Sequence, residues 1–204
     1  MDIVQIEYEL KKRLNIPYVW GRKQSDIWDK YSSFIYKTQS FEQLLKRCNH
    51  FSDPLKNYTL NRWYNFLSAQ AVEYLFCQHQ HVIANKNPYD KLIDFSIEGV
   101  AFDHKTSVFP KAYQNTISYA QNHELDLIQW LYKNQSQEGR KHLKNRLFIV
   151  LYDSEKQDHW KLKSEILLIK KQIDLYINTF SMDKLYKFDP GEGMIYSAII
   201  WVKK

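Results

Sequence analysis

The sequence predicts an α/β protein in which helices precede and flank a β-sheet. Stretches in the first half of the chain repeat their apolar residues at intervals of three and four, which is typical of amphipathic helices. The segment "IDFSIEGVAFDHKTS" alternates like a β-hairpin, and "RLFIVLY" is a continuous apolar run of the kind that forms a buried strand. The 15 Tyr, 11 Phe and 6 Trp residues supply enough apolar surface for a sizeable core.

Composition and charge exclude some classes of protein. Cys48 and Cys77 are too few for a disulfide framework, so a reducing compartment is expected. The N-terminus lacks the basic start and apolar run of a signal peptide, and no stretch approaches the ~20 apolar residues of a membrane span. We therefore expect a cytoplasmic protein with no membrane partner. The 29 Lys+Arg against 23 Asp+Glu fit a polyanionic partner, although many proteins without one are as basic.

We expect one domain over residues 1–204, in three consecutive parts. Residues 1–56 read as short helices, "DIVQIEYELKKRL", "SDIWDKYSSFIY" and "SFEQLLKRC", with Ser25 and Ser40 as N-caps. Residues 57–153 form the central part. Residues 154–204 add a helix through "SEILLIKKQIDLYINTF" and a last strand, "MIYSAIIWV".

The central part predicts the order helix, strand, strand, strand, helix, strand. A long helix follows Thr59, and Glu73 lies off its apolar stripe. A short strand, "HVIAN", comes next, then the hairpin, which Pro110 closes. A single helix through "YQNTISYAQNHELDLIQWLYKN" and the buried strand "RLFIVLY" complete this part.

The hairpin carries charges where a strand prefers apolar or neutral residues. With Glu98-Gly99 as its two-residue turn, Phe95 faces Phe102 and Asp94 falls directly opposite Asp103. Alternation then puts Asp94, Asp103 and Lys105 on one face. The other face is apolar apart from the side chain of His104, which we expect to be packed rather than catalytic.

Two opposed carboxylates need a positive charge between them. Directly opposed residues have Cβ atoms about 4.5–5.5 Å apart, where like charges destabilise a sheet. Lys105 is one candidate for the compensating charge and a divalent cation is the other. Mg²⁺ binds through one or two carboxylates and keeps its remaining positions for water and phosphate oxygens. This face therefore predicts a metal site with a lysine at its edge.

An acidic helix residue, an Asp on a strand and an Asp-x-Lys on the next strand resemble the motif of the PD-(D/E)XK nucleases, the restriction endonuclease-like superfamily. In this chain the pattern is Glu73, Asp94 and Asp103-His104-Lys105, within about residues 59–153. Ile93 stands where the family's name-giving proline would be. The resemblance implies an αβββαβ core with a mixed central sheet flanked by helices, to which this chain adds N-terminal helices and a C-terminal helix and strand.

The resemblance also implies a mechanism and a cofactor. Asp94, Asp103 and the backbone carbonyl of His104 would bind Mg²⁺, for which Mn²⁺ would substitute. Glu73 would reach the metal directly or through water, or would help to hold a second ion. Lys105 would orient the attacking water and stabilise charge on the phosphoryl oxygens. The implied activity is Mg²⁺-dependent hydrolysis of DNA, by an endodeoxyribonuclease of restriction or mobile-element type.

The partners follow from the same resemblance. DNA is the expected partner, RNA is not excluded, and a homodimer is plausible. The run "GRKHLKNR" contains four basic residues that would track a phosphate backbone or else form an ordinary solvated loop: Arg140, Lys141, Lys144 and Arg146. Two alternatives stay open. One is a nuclease-like fold that only binds nucleic acid or serves as an assembly subunit, and the other is an unrelated α/β protein.

Overall fold

A computed structural model describes residues 1–19, 26–87, 90, 92–134, 144–191 and 193–204. The helices are α1 (Ile3–Lys12), α2 (Asp26–Tyr31), α3 (Phe41–Arg47), α4 (Asp53–Phe76), α5 (Ile117–Asn122), α6 (Glu124–Asn134) and α7 (Ile166–Asn178). The strands are β1 (Val82–Ala84), β2 (Phe95–Ile97), β3 (Val100–Val108), β4 (Arg146–Tyr152), β5 (Tyr186–Phe188) and β6 (Ile195–Lys203). No helix in these ranges is long and apolar enough to cross a membrane.

The contacts within the chain define two compact units. The first comprises Met1–Tyr74 and Lys163–Ile169, and the second comprises Leu75–Leu162 and Lys170–Lys204. The three parts expected from the sequence are consecutive stretches of the chain, whereas each of these units combines two separate stretches. Helices α4 and α7 each contribute residues to both units.

The first unit is helical, and side chains fix its helix ends. The Ser40 hydroxyl accepts a hydrogen bond from the Gln43 N–H at 3.4 Å, which confirms Ser40 as the N-cap of α3. Ser25, the other predicted cap, lies outside the described residues. The long helix predicted after Thr59 is α4, which already begins at Asp53. Pro54 suits this earlier start, because the first turn of a helix does not need the N–H that proline lacks.

The second unit contains a six-stranded mixed sheet in the order β1-β2-β3-β4-β6-β5. The pairs β1–β2, β2–β3 and β5–β6 are antiparallel, whereas β3–β4 and β4–β6 are parallel. Leu127, Ile128 and Leu131 of α6 pack in one buried cluster with Phe148 and Val150 of β4. The predicted α/β class with a mixed sheet flanked by helices is therefore confirmed.

The predicted helix between the hairpin and β4 is two helices instead of one. Thr116 caps α5, and His123 has non-helical dihedral angles, φ −135° and ψ 54°, at its end. Glu124 and Asp126 then lie in the first turn of α6, where carboxylates interact favourably with the N-terminal end of a helix. The sequence also did not predict β5, which is three residues long.

Candidate functional site

The hairpin turns at Glu98-Gly99, as the sequence predicts. Glu98 and Gly99 have φ angles of 49° and 84°, and positive φ at both central residues is the pattern of a type I′ hairpin turn. The register Phe95–Phe102, Ser96–Ala101 and Ile97–Val100 is also confirmed. The hairpin therefore places Asp103 and Lys105 two residues apart along β3, so both side chains leave the same face of that strand.

Asp94 lies just beyond the regular pairing of β2 with β3. The paired residues end at Phe95–Phe102, and the Asp94 N–H donates to the carbonyl of Phe102 at 2.9 Å. The prediction that Asp94 pairs directly with Asp103 is wrong, because the hydrogen bonding slips by one residue at this end. The two carboxyl groups nevertheless interact: burial raises the pKa of Asp94, His104 lowers it, and hydrogen bonding with Asp103 adds to the lowering.

The Asp94 carboxylate is held by His104 on β3. Its Oδ2 accepts one hydrogen bond from the backbone N–H of His104 at 2.7 Å and lies 2.6 Å from the ring Nδ1. Burial alone would raise the pKa of Asp94, but the interactions with His104 outweigh burial and lower it. Asp94 is therefore stabilised as a carboxylate, and Nδ1 of His104 is the donor in their contact.

His104 itself is packed, as the sequence predicts, but packing is only half of its environment. Its side chain is 7% exposed, and its ring stacks on Phe95 with 6.1 Å between the ring centroids. The edge of the same ring reaches Asp94. This contact was not predicted, since strict alternation assigns the two side chains to opposite faces of the hairpin.

The Asp103 carboxylate is held by Arg146 on β4. The two residues are direct neighbours in the parallel register, and Nε of Arg146 donates to Oδ2 of Asp103 at 2.5 Å. Burial raises the pKa of Asp103, and the nearby charge of Asp94 raises it further. Arg146 lowers this pKa but does not cancel the other two effects. The pair thus contains two carboxyl groups whose pKa values are moved in opposite directions.

Lys105 is exposed, and it makes no ion pair with another residue of the described ranges. Among the described residues, the cation that pairs with Asp103 is therefore Arg146 and not Lys105. An exposed ammonium group two residues from a partly buried carboxyl is suited to a ligand that approaches from solvent.

The other predicted site residues have different outcomes. Glu73 is half-buried on α4 in the first unit, so its membership of the site stays a prediction. Lys144 is exposed, which agrees with a phosphate contact or with a solvated loop. Arg146 contacts Asp103 instead of lying in an open basic run. Arg140 and Lys141 lie outside the described residues.

The donor set fits Mg²⁺ better than Zn²⁺. Each aspartate uses Oδ2 for its protein partner, and Mg²⁺ needs only one or two carboxylates beside water and phosphate. The N–H of His104 points toward Asp94, and its carbonyl leaves β3 at the same edge because the two groups of one strand residue share a side. Within the described ranges, no group of three or more His, Cys, Asp or Glu residues is placed so that it could hold a metal ion.

Sequence reasoning missed Arg146 and the side chain of His104 as partners of the carboxylates. It also missed Asn145, whose side chain donates to the carbonyl of Ala101 at 3.1 Å and accepts from the N–H of Tyr196 at 2.8 Å. Asn145 thereby links β3 and β6 just before the start of β4, where Arg146 pairs with Asp103. The "NR" pair carries no signal for these roles, since they follow from the parallel pairing of distant segments.

Comparison with known proteins adds no assignment: no family model, curated protein or solved structure matches this chain.

Proposed function

We propose that this protein is a metal-dependent nuclease of the PD-(D/E)XK type that hydrolyses phosphodiester bonds of DNA. The observation that carries the proposal is the pair of adjacent carboxyl groups, Asp94 and Asp103, with the exposed Lys105 two residues further along β3. The order α4, β1, β2, β3, two helices and a parallel β4 supports it, because it has the same sequence of elements as the core of that superfamily, with one helix divided.

Each residue has a distinct role in the proposed site. Asp94, Asp103 and the carbonyl of His104 would hold Mg²⁺. When bound, the ion supplies Lewis-acid activation of the scissile phosphate and of a water molecule. The Lys105 ammonium donates to a phosphate oxygen and orients the attacking water, so its contact strengthens as negative charge develops. The excess of 29 Lys+Arg over 23 Asp+Glu favours association with a polyanion.

A second candidate is a protein that binds nucleic acid or a larger assembly without cutting. The specific observation in its favour is that both carboxylates already have protein partners, Asp94 with His104 and Asp103 with Arg146. Such contacts are also what a purely structural polar cluster would need.

The experiment compares wild type with Asp103→Asn, purified in parallel, on supercoiled plasmid with Mg²⁺, Mn²⁺ or EDTA. We expect the wild type to nick and linearise the plasmid with either metal, and both EDTA and the substitution to abolish cleavage. Single-stranded DNA and RNA in parallel reactions define the substrate class. Equal cleavage by both preparations would identify a contaminant, and binding without cleavage of any substrate would favour the second candidate.

A further inference from the structure

Arg146 makes a direct contact with one of the two proposed metal ligands. Its Nε lies 2.5 Å from Oδ2 of Asp103, and the two side chains are 11% and 19% exposed. The residues are neighbours on adjacent parallel strands, so the sheet itself fixes the distance between their backbones. The contact is therefore built into the β3–β4 pairing and does not depend on a flexible loop.

The guanidinium of Arg146 also has aromatic neighbours. Its Cζ lies 5.5 Å from the ring centroid of Tyr132 and 5.8 Å from that of Phe148. Arginine interacts favourably with aromatic faces at such distances, with an effect that increases when water is excluded. The guanidinium thus has favourable contacts besides its hydrogen bond to Asp103.

The positive charge of Arg146 also affects how strongly the carboxyl pair can attract a cation. Two adjacent aspartates attract a divalent cation, and a guanidinium beside them repels it. Arg146 and the cation would also use the same carboxyl group, Asp103. Lys105 carries the same charge, but it is exposed and makes no such contact within the described ranges.

We infer that Arg146 is an internal counterion that stabilises Asp103 in the metal-free protein and competes with the divalent cation for that carboxylate. The inference rests on the proposed function only in taking Asp94 and Asp103 as metal ligands. It separates the two cations of the site: Arg146 acts on the ligand Asp103 as a positioning residue, whereas Lys105 faces the substrate. It also predicts that the free protein binds the metal less tightly than two adjacent carboxylates would otherwise allow.

The test measures the binding of Mn²⁺ without DNA, by the electron paramagnetic resonance signal of the free ion. The proteins are wild type, Arg146→Gln, Arg146→Lys and, as the matched control, Lys105→Gln, which removes an exposed charge. We expect Arg146→Gln to bind Mn²⁺ about tenfold more tightly, as expected for a charge removed beside a cation at intermediate dielectric. Arg146→Lys should lie between, and Lys105→Gln should differ from wild type by less than about threefold because solvent screens it.

Thermal melts supply a second readout, in which Arg146→Gln should be less stable than wild type without metal although it binds Mn²⁺ more tightly. Without metal, Arg146→Gln should melt below wild type, because the partly buried Asp103 carboxyl loses its charged partner. With saturating Mn²⁺, its melting temperature should rise more than that of wild type, since stabilisation follows the ratio of metal concentration to Kd. Equal or weaker Mn²⁺ binding by Arg146→Gln, or the same gain in affinity for Lys105→Gln, would overturn the inference.

A measurement on the wild type alone covers the case in which the Arg146 variants do not fold. The Nε–H signal of Arg146 in a ¹H–¹⁵N NMR spectrum, assigned by triple-resonance methods, should shift when Mg²⁺ is added. An unchanged signal at saturating Mg²⁺ would reject the competition. Failure of the proposed function looks different: metal binding with the predicted order of affinities but no cleavage rejects the nuclease alone, whereas no metal binding by any protein rejects both.

Discussion

Strands β3 and β4 lie side by side in parallel, yet they differ in burial and in the charged residues they carry. All five residues from Leu147 to Leu151 on β4 are buried, whereas Phe102 is the one buried residue of the nine in β3. β4 is central, with β3 on one side and β6 on the other, and α6 packs on it. β3 carries Asp103 and Lys105 instead. The comparison indicates that the buried core is concentrated in β4, whereas the residues of the proposed site lie on β3. Arg146, at the start of β4, links the two strands through its contact with Asp103.

The largest expected effect tests this division with a pair of neighbouring residues. Ile149 on β4 is fully buried and pairs in register with Thr106 on β3. We expect Ile149→Ala to lower the free energy of unfolding by about 2–5 kcal/mol, because it removes buried methyl groups and leaves a cavity. Denaturant unfolding followed by circular dichroism measures this difference.

Thr106→Val is the matched control across the same strand pair. The Thr106 hydroxyl is buried and has no hydrogen-bond partner within the described ranges, so replacing it with a methyl group removes an unsatisfied polar atom. We expect this variant to be as stable as wild type or more stable. A loss at Thr106 as large as that at Ile149 would contradict the assignment of stability to β4.

The features of these strands that arise between residues close in the sequence can be predicted from it, whereas those that join distant segments cannot. β4 is recognisable as an apolar run, and the β2–β3 register follows from local alternation and the Glu98-Gly99 turn. The contact of Arg146 with Asp103 joins residues 43 positions apart through a parallel pairing, which local patterns do not specify. The slip at Asp94 escaped prediction for another reason: its carboxylate binds the backbone N–H of His104, a local alternative to regular pairing.

The second prediction concerns Lys105, the exposed cation of β3. We expect Lys105→Ala to slow DNA cleavage roughly 30- to 1,000-fold, which corresponds to a loss of about 2–4 kcal/mol of transition-state stabilisation. The affinity for DNA should change only a few-fold, since one lysine among many contributes little to binding driven by counterion release. Single-turnover cleavage and a binding titration in Ca²⁺ separate the two quantities.

Lys203→Ala is the control for Lys105→Ala, because Lys203 is exposed at the end of β6 and is not part of the proposed site. We expect this variant to cleave at the wild-type rate. If DNA affinity collapsed in Lys105→Ala while the remaining complex cut normally, Lys105 would be a binding residue and its proposed catalytic role would be incorrect.

The smallest expected effect is on stability, and it differs between the two aspartates. Asp94 is hydrogen-bonded by His104 of β3, and Asp103 by Arg146 of β4. Repulsion between the carboxylates alone would let metal-free Asp94→Asn melt at or above the wild-type temperature. The contacts of Asp94 with the N–H and ring of His104 reverse this expectation. We expect metal-free Asp94→Asn to lose about 1–3 kcal/mol, because His104 then faces an amide where it had a carboxylate. Asp103→Asn should lose less at pH 7, because the raised pKa of Asp103 means that folding disfavours its ionised form.

The pH dependence of unfolding distinguishes the two groups by sign. Burial raises the pKa of Asp94, but the contacts with His104 lower it further than burial raises it. The ionised Asp94 therefore stabilises the fold at pH values above 3.8, the ordinary pKa of an aspartate. That stabilisation is lost as the pH falls through the folded-state pKa. The raised pKa of Asp103 has the opposite effect: as the pH rises from 3.8 through the folded-state value, ionisation progressively destabilises the fold. Relative to wild type, Asp94→Asn should therefore become less stable as the pH rises in EDTA, whereas Asp103→Asn should become more stable. Parallel curves for the two variants would show that His104 and Arg146 hold the two carboxyl groups equivalently, and would remove the distinction between them.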